Sequence, residues 1–190
     1  MTPYAARRRS PRWWAGVALA LLIVVLCGSL VGAARAAGPL LGDQAIEAKV
    51  DQNSAGVAEA FQTTASAGGT LSKLTLYVDA SSTASRILAG VYADNANSPG
   101  SLLAQGSIST IANGAWNDIP LPGGQITSGT KYWIAILAPS GTIRYRDRCC
   151  GGRGTQPSVT HAVGGLSALP ASWTVGARYS DGPMSAYGSG

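Results

Sequence analysis

The densest reactive chemistry in the chain lies between Thr142 and Cys150, in the run Thr-Ile-Arg-Tyr-Arg-Asp-Arg-Cys-Cys. On an extended backbone side chains alternate faces, so Arg144, Arg146 and Arg148 form a row with a spacing of about 6.6 Å. Ile143 and Tyr145 take the opposite, core-facing side. Guanidinium forks in a row suit carboxylate, sulfate or phosphate groups. The competing arrangement is a solvated face whose arginines pair with Asp147 or with acids on neighbouring strands. Cys149 and Cys150 are the only cysteines after Cys27, so an intramolecular bridge between them is a vicinal disulfide. Adjacent Cα atoms stand about 3.8 Å apart, below the usual disulfide range. Such a bridge makes a strained, stiff apolar ledge beside Gly151-Gly152, suited to packing on a sugar or aromatic ring. Free thiols and an intermolecular bridge are the alternatives.

Tryptophan supplies the second kind of chemistry, a broad apolar face with one N–H donor that can stack on a sugar. Trp133 lies in the most apolar segment and belongs to a core. Trp116 follows a turn and Trp173 a long loop, which places either near a surface, with core packing or strand-end capping as the competing arrangement. Arg144, Tyr145, Arg146 and Trp173 are therefore the candidate ligand-binding residues, the arginines ionic and the rings stacking. Asp94, Asn95 and Asn97 offer oxygen ligands of the kind calcium uses, although Asn-Ser-Pro-Gly is also ordinary turn chemistry. No organic cofactor is implied.

Catalytic patterns are thin. His161 is the sole histidine, which excludes a multi-histidine metal site, and there is no Gly-x-Ser-x-Gly elbow to support a nucleophile. Glu47, Glu59, Asp79 and Asp118 could pair as glycosidase carboxylates, but nothing in their spacing joins them. Gly151-Gly152-Arg153-Gly154 lacks the following helix of a phosphate loop.

The net charge of +5 over 190 residues is unevenly placed. Residues 1–36 carry Arg7, Arg8, Arg9, Arg12 and Arg35 and no acid, and the remainder balances nine basic against nine acidic residues. A basic footprint is the first property of a nucleic-acid binder, and here it leaves with the leader, so no nucleic-acid partner is expected. That leader has a basic flank, an apolar stretch from Ala15 to Ala33 and small residues at Ala34 and Ala36, the pattern of a secretory signal cleaved after Ala36. An uncleaved anchor spanning residues 15–33 is the alternative, and the membrane is a partner only in that case. The expected location is extracellular. Eleven arginines against three lysines, with abundant Ala and Gly, match exported proteins of GC-rich bacteria.

The elements that must position these residues are short. Ser72–Asp79 alternates, with Leu74, Leu76 and Val78 on one face and Lys73, Thr75 and Tyr77 on the other. Thr142–Arg148 alternates again, and Lys131–Leu137 is apolar on both faces, as in a central strand covered on both sides. Ala45–Val50 and Val57–Thr64 read as strands around an Asp51-Gln52-Asn53-Ser54 turn. Residues 151–172 read as a long loop with at most one short strand, and Trp173–Tyr179 and Pro183–Tyr187 close the domain. Short strands between turn signals predict an all-β fold, a two-sheet antiparallel sandwich of jelly-roll type over residues 37–190.

Leu74-Thr75-Leu76-Tyr77-Val78, Ala89-Gly90-Val91-Tyr92-Ala93-Asp94-Asn95 with Ser98-Pro99-Gly100-Ser101-Leu102-Leu103-Ala104, Trp116-Asn117 with Ile119-Pro120-Leu121, Gly129-Thr130-Lys131-Tyr132-Trp133-Ile134 and Leu169-Pro170-Ala171-Ser172-Trp173 carry a resemblance over residues 40–190. Together they resemble a jelly-roll-like accessory domain of secreted bacterial multi-domain proteins. The resemblance implies a non-catalytic appendage and supports fold more than function. The expected role is a secreted, non-enzymatic module binding extracellular glycan or cell-envelope polymer. A structural or adhesive surface protein acting through protein contacts is the alternative, and a small secreted glycoside hydrolase the third.

Overall fold

The protein is described by a computed structural model covering Met1, residues 38–148 and residues 154–190. The leader expected at residues 1–36 and the Cys149–Cys150 bridge therefore lie outside the described residues. Backbone proximity divides the chain into Met1–Ala36 and Ala37–Gly190. Among the described residues no helix is long and apolar enough to cross a membrane.

The described part of the second unit is built of strands. They are β1 (Leu41–Gly42), β2 (Lys49–Asn53), β3 (Ala58–Thr64), β4 (Gly69–Thr70), β5 (Lys73–Val78), β6 (Ile87–Asp94), β7 (Pro99–Ile108), β8 (Ala115–Pro120), β9 (Gln125–Ile126), β10 (Lys131–Leu137), β11 (Ile143–Asp147), β12 (Gln156–His161), β13 (Val175–Gly182) and β14 (Ala186–Ser189). The first sheet runs β1-β14-β5-β11-β2, with β8 paired to the other edge of β5. The second runs β13-β12-β3-β10-β6-β7, and β4 pairs with β9. Every pairing is antiparallel. The all-β, antiparallel expectation holds.

One core fills the space between the two large sheets. Leu74, Leu76 and Val78 of β5, Ile119 of β8 and Ile143 and Tyr145 of β11 meet Phe61 of β3, Val91 of β6 and Ile134 and Ile136 of β10. A second core lies on the far face of β10, where Trp133, Ala135 and Leu137 pack with Tyr92, Val159, Leu169 and Trp173. This explains the unbroken apolar run of β10: it sits between β3 and β6 and is covered on both faces. The cover is the segment between β12 and β13. It is tied down by Leu166 N–H to Gly56 O at 2.9 Å, Leu102 N–H to Ala171 O at 3.0 Å and Tyr92 O–H to Pro170 O at 2.7 Å.

Three strands lie later than the sequence expectation. The strand expected at Ala45–Val50 lies at Lys49–Asn53, because Asp51 and Gln52 pair with Tyr145 and Arg144. Cross-strand pairing overrides the local turn preference of Asp and Asn. The turn moves to Ser54–Gly56, where Gly56 takes the left-handed conformation at φ 76° and Val57 N–H bonds Ser54 O. The last two strands likewise lie later than expected, at Val175–Gly182 and Ala186–Ser189.

The core between the sheets contains one polar layer. Glu59 points inward from β3, 3% exposed, and accepts the Tyr145 hydroxyl at 2.8 Å. Asp51 stands 3.5 Å from the same oxygen. Burial raises the Glu59 carboxyl above its ordinary 4.5, since desolvation disfavours the charged form. Burial and the Glu59 charge push the Tyr145 phenol well above its usual value. A raised carboxyl binds its proton more tightly folded than unfolded, so its contribution to stability is full below 4.5 and is lost as pH rises through the folded value. Glu59→Gln keeps an acceptor for Tyr145 and removes the charge. Thermal unfolding should show the variant more stable than wild type at pH 7.5, with the gain shrinking toward pH 4; equal gains at both values would contradict the buried-charge account.

Candidate functional site

The site is assembled on the outward face of the first sheet. On β5 the inward Leu74, Leu76 and Val78 leave Lys73, Thr75 and Tyr77 facing out, as the alternation predicts. Antiparallel pairing sets Trp116 of β8 opposite Tyr77 and Asp118 opposite Thr75. On the other edge, β14 sets Tyr187 opposite Thr75. The Trp116 ring centroid lies 5.5 Å from Tyr77 at an interplanar angle of 78°, and 5.5 Å from Tyr187 at 65°. Strands two apart in a sheet stand roughly 9.6 Å apart, so Trp116 and Tyr187 lean toward one another over β5. Thr75 beneath them is 2% exposed, while all three rings remain partly exposed. Edge-to-face contacts of this kind are worth about 0.5–1.5 kcal/mol each beyond burial, enough to hold the rings as one surface.

Local hydrogen bonds fix the strand that carries Trp116. Asn117, 6% exposed, accepts Ala112 N–H at 2.8 Å and donates to Ala112 O and Ala115 O, both at 2.9 Å. Tyr77 O–H donates to Gly114 O at 3.1 Å, where Gly114 turns the chain at φ 71°. Polar groups flank the rings on both sides. Asp118 accepts Lys73 Nζ and the Thr75 hydroxyl, both at 2.6 Å, and Lys73 followed by Thr75 holds its carboxyl below the usual range. On the other side Asp79 accepts the Ser81 hydroxyl at 2.6 Å, Ser81 N–H at 3.0 Å and Arg146 Nε at 2.8 Å. The two Ser81 bonds, with Arg146 adding to them, pull the Asp79 carboxyl down to about 2.

The arginine row exists as expected, outward from β11, but its charges are largely matched. Arg146 Nη2 lies 2.7 Å from Asp79 Oδ2, and Arg148 Nε lies 2.7 Å from Glu47 Oε1. Arg144 instead donates from Nε to Gln52 Oε1 at 2.9 Å and from Nη1 to Ser81 O at 2.8 Å. Tyr145 and Trp173, the expected stacking residues, are both interior. Tyr145 is fully buried between the sheets, edge-on to Phe61 at 5.7 Å. Trp173 packs under the cover of the second core, with Tyr92 at 5.1 Å and His161 at 5.3 Å, and its indole N–H reaches Thr160 O. Strand alternation turns the first ring inward, and the loop before β13 folds the second onto the sheet. Trp133 is core, as expected, and its indole N–H bonds Asp94 Oδ1 at 2.7 Å.

At the turn considered for calcium, the side-chain oxygens already accept N–H groups. Asp94 Oδ1 also takes Gln62 Nε2 at 3.0 Å, Asp94 Oδ2 takes Asn97 N–H at 3.2 Å, and Asn97 Oδ1 takes Lys131 Nζ at 2.9 Å. A cation there would have to displace these donors, one of them an ammonium. Among the described residues no group of three or more His, Cys, Asp or Glu is placed to hold a metal. The four carboxylates weighed for hydrolysis are dispersed: Glu47, Asp79 and Asp118 each bind a different cation, and Glu59 lies between the sheets.

Sequence reasoning weighed Trp116 but missed its two tyrosine partners. Tyr77 was visible as an outward residue of β5. Tyr187 was not, because only the β14–β5 register brings it to the same patch. The chain matches no protein-family model, and no curated protein matches it.

Asp79 should anchor this face. Replacing it by Asn weakens bonds to Ser81 and Arg146 and should cost about 1.5–3 kcal/mol, the range for hydrogen bonds to charged groups. Its lowered carboxyl contributes stability above 3.8 that is lost as pH falls through about 2. Chemical denaturation from pH 5 to pH 2 should therefore show a steeper loss for wild type than for Asp79→Asn, and parallel curves would contradict the assignment.

Proposed function

We propose that the protein is a secreted, non-catalytic module that binds an extracellular glycan or cell-envelope polymer on the outward face of its first sheet. The observation that carries this reading is the single patch formed by Trp116, Tyr77 and Tyr187, partly exposed and rimmed by hydrogen-bonding side chains. Sugars present apolar C–H faces edged by hydroxyls. A rigid aromatic surface beside fixed donors and acceptors matches that pattern, as concave ligand sites do with a few placed polar groups. An open sheet face also accepts a chain of indefinite length, which an enclosed pocket does not.

The fold reading is part of the proposal. Successive strands pass between the sheets, β5 in the first, β6 and β7 in the second, β8 in the first, β10 in the second and β11 in the first. That alternation supports a jelly-roll-like accessory module, with residues 1–36 as its export signal.

One observation favours the structural or adhesive reading in second place. Val50 on β2, and Val175 and Tyr179 on β13, are large exposed apolar residues on strands that end their sheets, and Ile46 is exposed just before β2. Exposed sheet edges are where further strands add. Concentration-dependent self-association in sedimentation, lost on Tyr179→Asp, would bring that reading forward.

The glycan reading is tested by affinity electrophoresis of wild type and Trp116→Ala in gels containing soluble plant, fungal and bacterial polysaccharides. Wild type should be retarded by at least one polymer, and Trp116→Ala should bind it about tenfold or more weakly, roughly 1.4 kcal/mol, with its thermal midpoint tracked in parallel. Retardation by none of the polymers, or equal retardation of the folded variant, would overturn the proposal.

A further inference from the structure

Three arginines share one spacing on β11 and just past its end, yet they are neutralised differently. Arg146 is matched by Asp79 and Arg148 by Glu47. Lys73, the cation at the other side of the aromatic patch, is matched by Asp118. Arg144 forms no salt bridge among the described residues. Its two partners, Gln52 Oε1 and Ser81 O, are neutral. A guanidinium has five N–H donors, so two bonds fix its orientation and leave three for a ligand. The free state thus holds the cation in place through two neutral oxygens, while the neighbouring Asp79 carboxylate is taken by Arg146 and Ser81. A freely solvated surface arginine would instead lose side-chain entropy on binding.

Its position joins it to the aromatic patch. Asp79 N–H bonds Arg144 O at 2.8 Å, which sets Arg144 beside Asp79, two residues along the chain from Tyr77. Two residues of strand span about 6.6 Å. Arg144 and Tyr77 both point outward from the same sheet. A polymer lying on the rings therefore passes the guanidinium within the span of neighbouring sugar units.

We propose that Arg144 is the specificity residue of this surface and that it selects polysaccharides bearing carboxylates, the polyuronates, over neutral ones. The inference rests on the glycan reading of the aromatic patch. Carboxylate is favoured over sulfate because a planar N–H fork matches two coplanar oxygens. Gln52 acts as a positioning residue through its bond to Nε. Because the face is open, the ionic contribution should fall with added salt.

The test compares wild type, Arg144→Gln, Arg144→Lys and Trp116→Ala by calorimetric titration with a polyuronate, a neutral β-glucan and a sulfated galactan at 20 mM and 500 mM salt. Wild type should bind the polyuronate about tenfold more tightly than the other two at low salt, and the margin should shrink at high salt. Arg144→Gln should abolish that margin, weakening polyuronate binding about tenfold, whereas Trp116→Ala should weaken polyuronate and neutral glucan alike. Arg144→Lys should keep the salt dependence but lose the preference for carboxylate over sulfate. Neutral binding that depends on Trp116, with no polyuronate margin in wild type or with an equal margin in Arg144→Gln, overturns the Arg144 inference and leaves the aromatic patch standing. Equal affinity for sulfate and carboxylate overturns the choice of uronate. Binding of no polymer, or binding indifferent to Trp116→Ala, overturns the underlying glycan reading. Thermal midpoints of all variants establish that each is folded.

Discussion

β5 has a strand on each edge and water on only one face, and the organisation of the molecule follows from that arrangement. Its inward leucines and valine are fixed in the core between the sheets. Because side chains alternate with a period of two, that burial also fixes Lys73, Thr75 and Tyr77 on the outside. β8 occupies one edge, while β14 and β11 share the other in succession along the strand. A slip of one residue in any of these pairings would turn Trp116 or Tyr187 into the core and Leu74 or Ile119 into water. The hydrophobic contribution of burying each such residue is about 1.5–3 kcal/mol, so register is strongly determined. The aromatic patch thus follows from core packing, with the Asn117 and Tyr77 hydrogen bonds fixing the turn that precedes Trp116.

The two sheets differ in what they leave open. The central strands of the second sheet are covered on both faces, by the main core and by the segment between β12 and β13, which hides Trp133 and Tyr92 and packs its own Trp173 against Tyr92. Among the described residues the first sheet is covered on one face only. Its outward charges are arranged in local pairs: the exposed Lys73–Asp118 pair contributes little to stability, typically below about 1 kcal/mol, whereas Asp79, buried beside Arg146 and Ser81, is the anchored one. Their consequence is a nearly neutral rim around the rings, against which the unmatched charge of Arg144 stands out.

Much of this was legible from the chain. The alternation of Ser72–Asp79 and Thr142–Arg148 placed every side chain of β5 and β11 on its correct face, and the double-sided apolar run of β10 announced a covered central strand. What failed was any inference needing long-range register. Trp116, Tyr77 and Tyr187 come together only because β8 and β14 flank β5, and no local pattern encodes that neighbourhood. Trp173 followed a long loop, which left a surface ring and a core ring both open, and the loop itself folds over and buries it. Asp51-Gln52-Asn53 carries turn chemistry yet pairs as strand, since β11 supplied backbone partners that the local sequence did not reveal. The arginine row was correctly placed on a face, but its acids come from Glu47 and Asp79, far away in sequence.

On the proposed reading, the aromatic-bearing outward face of the first sheet takes an extended ligand. The most direct measurement is a titration of the purified, 15N-labelled protein with soluble oligosaccharides, following the indole N–H resonances. Trp116 alone should shift, saturably, while Trp133 and Trp173 stay fixed beneath their cover. A shift of Trp173 with Trp116 unmoved, or no movement of any indole in a complex that forms, would contradict the account.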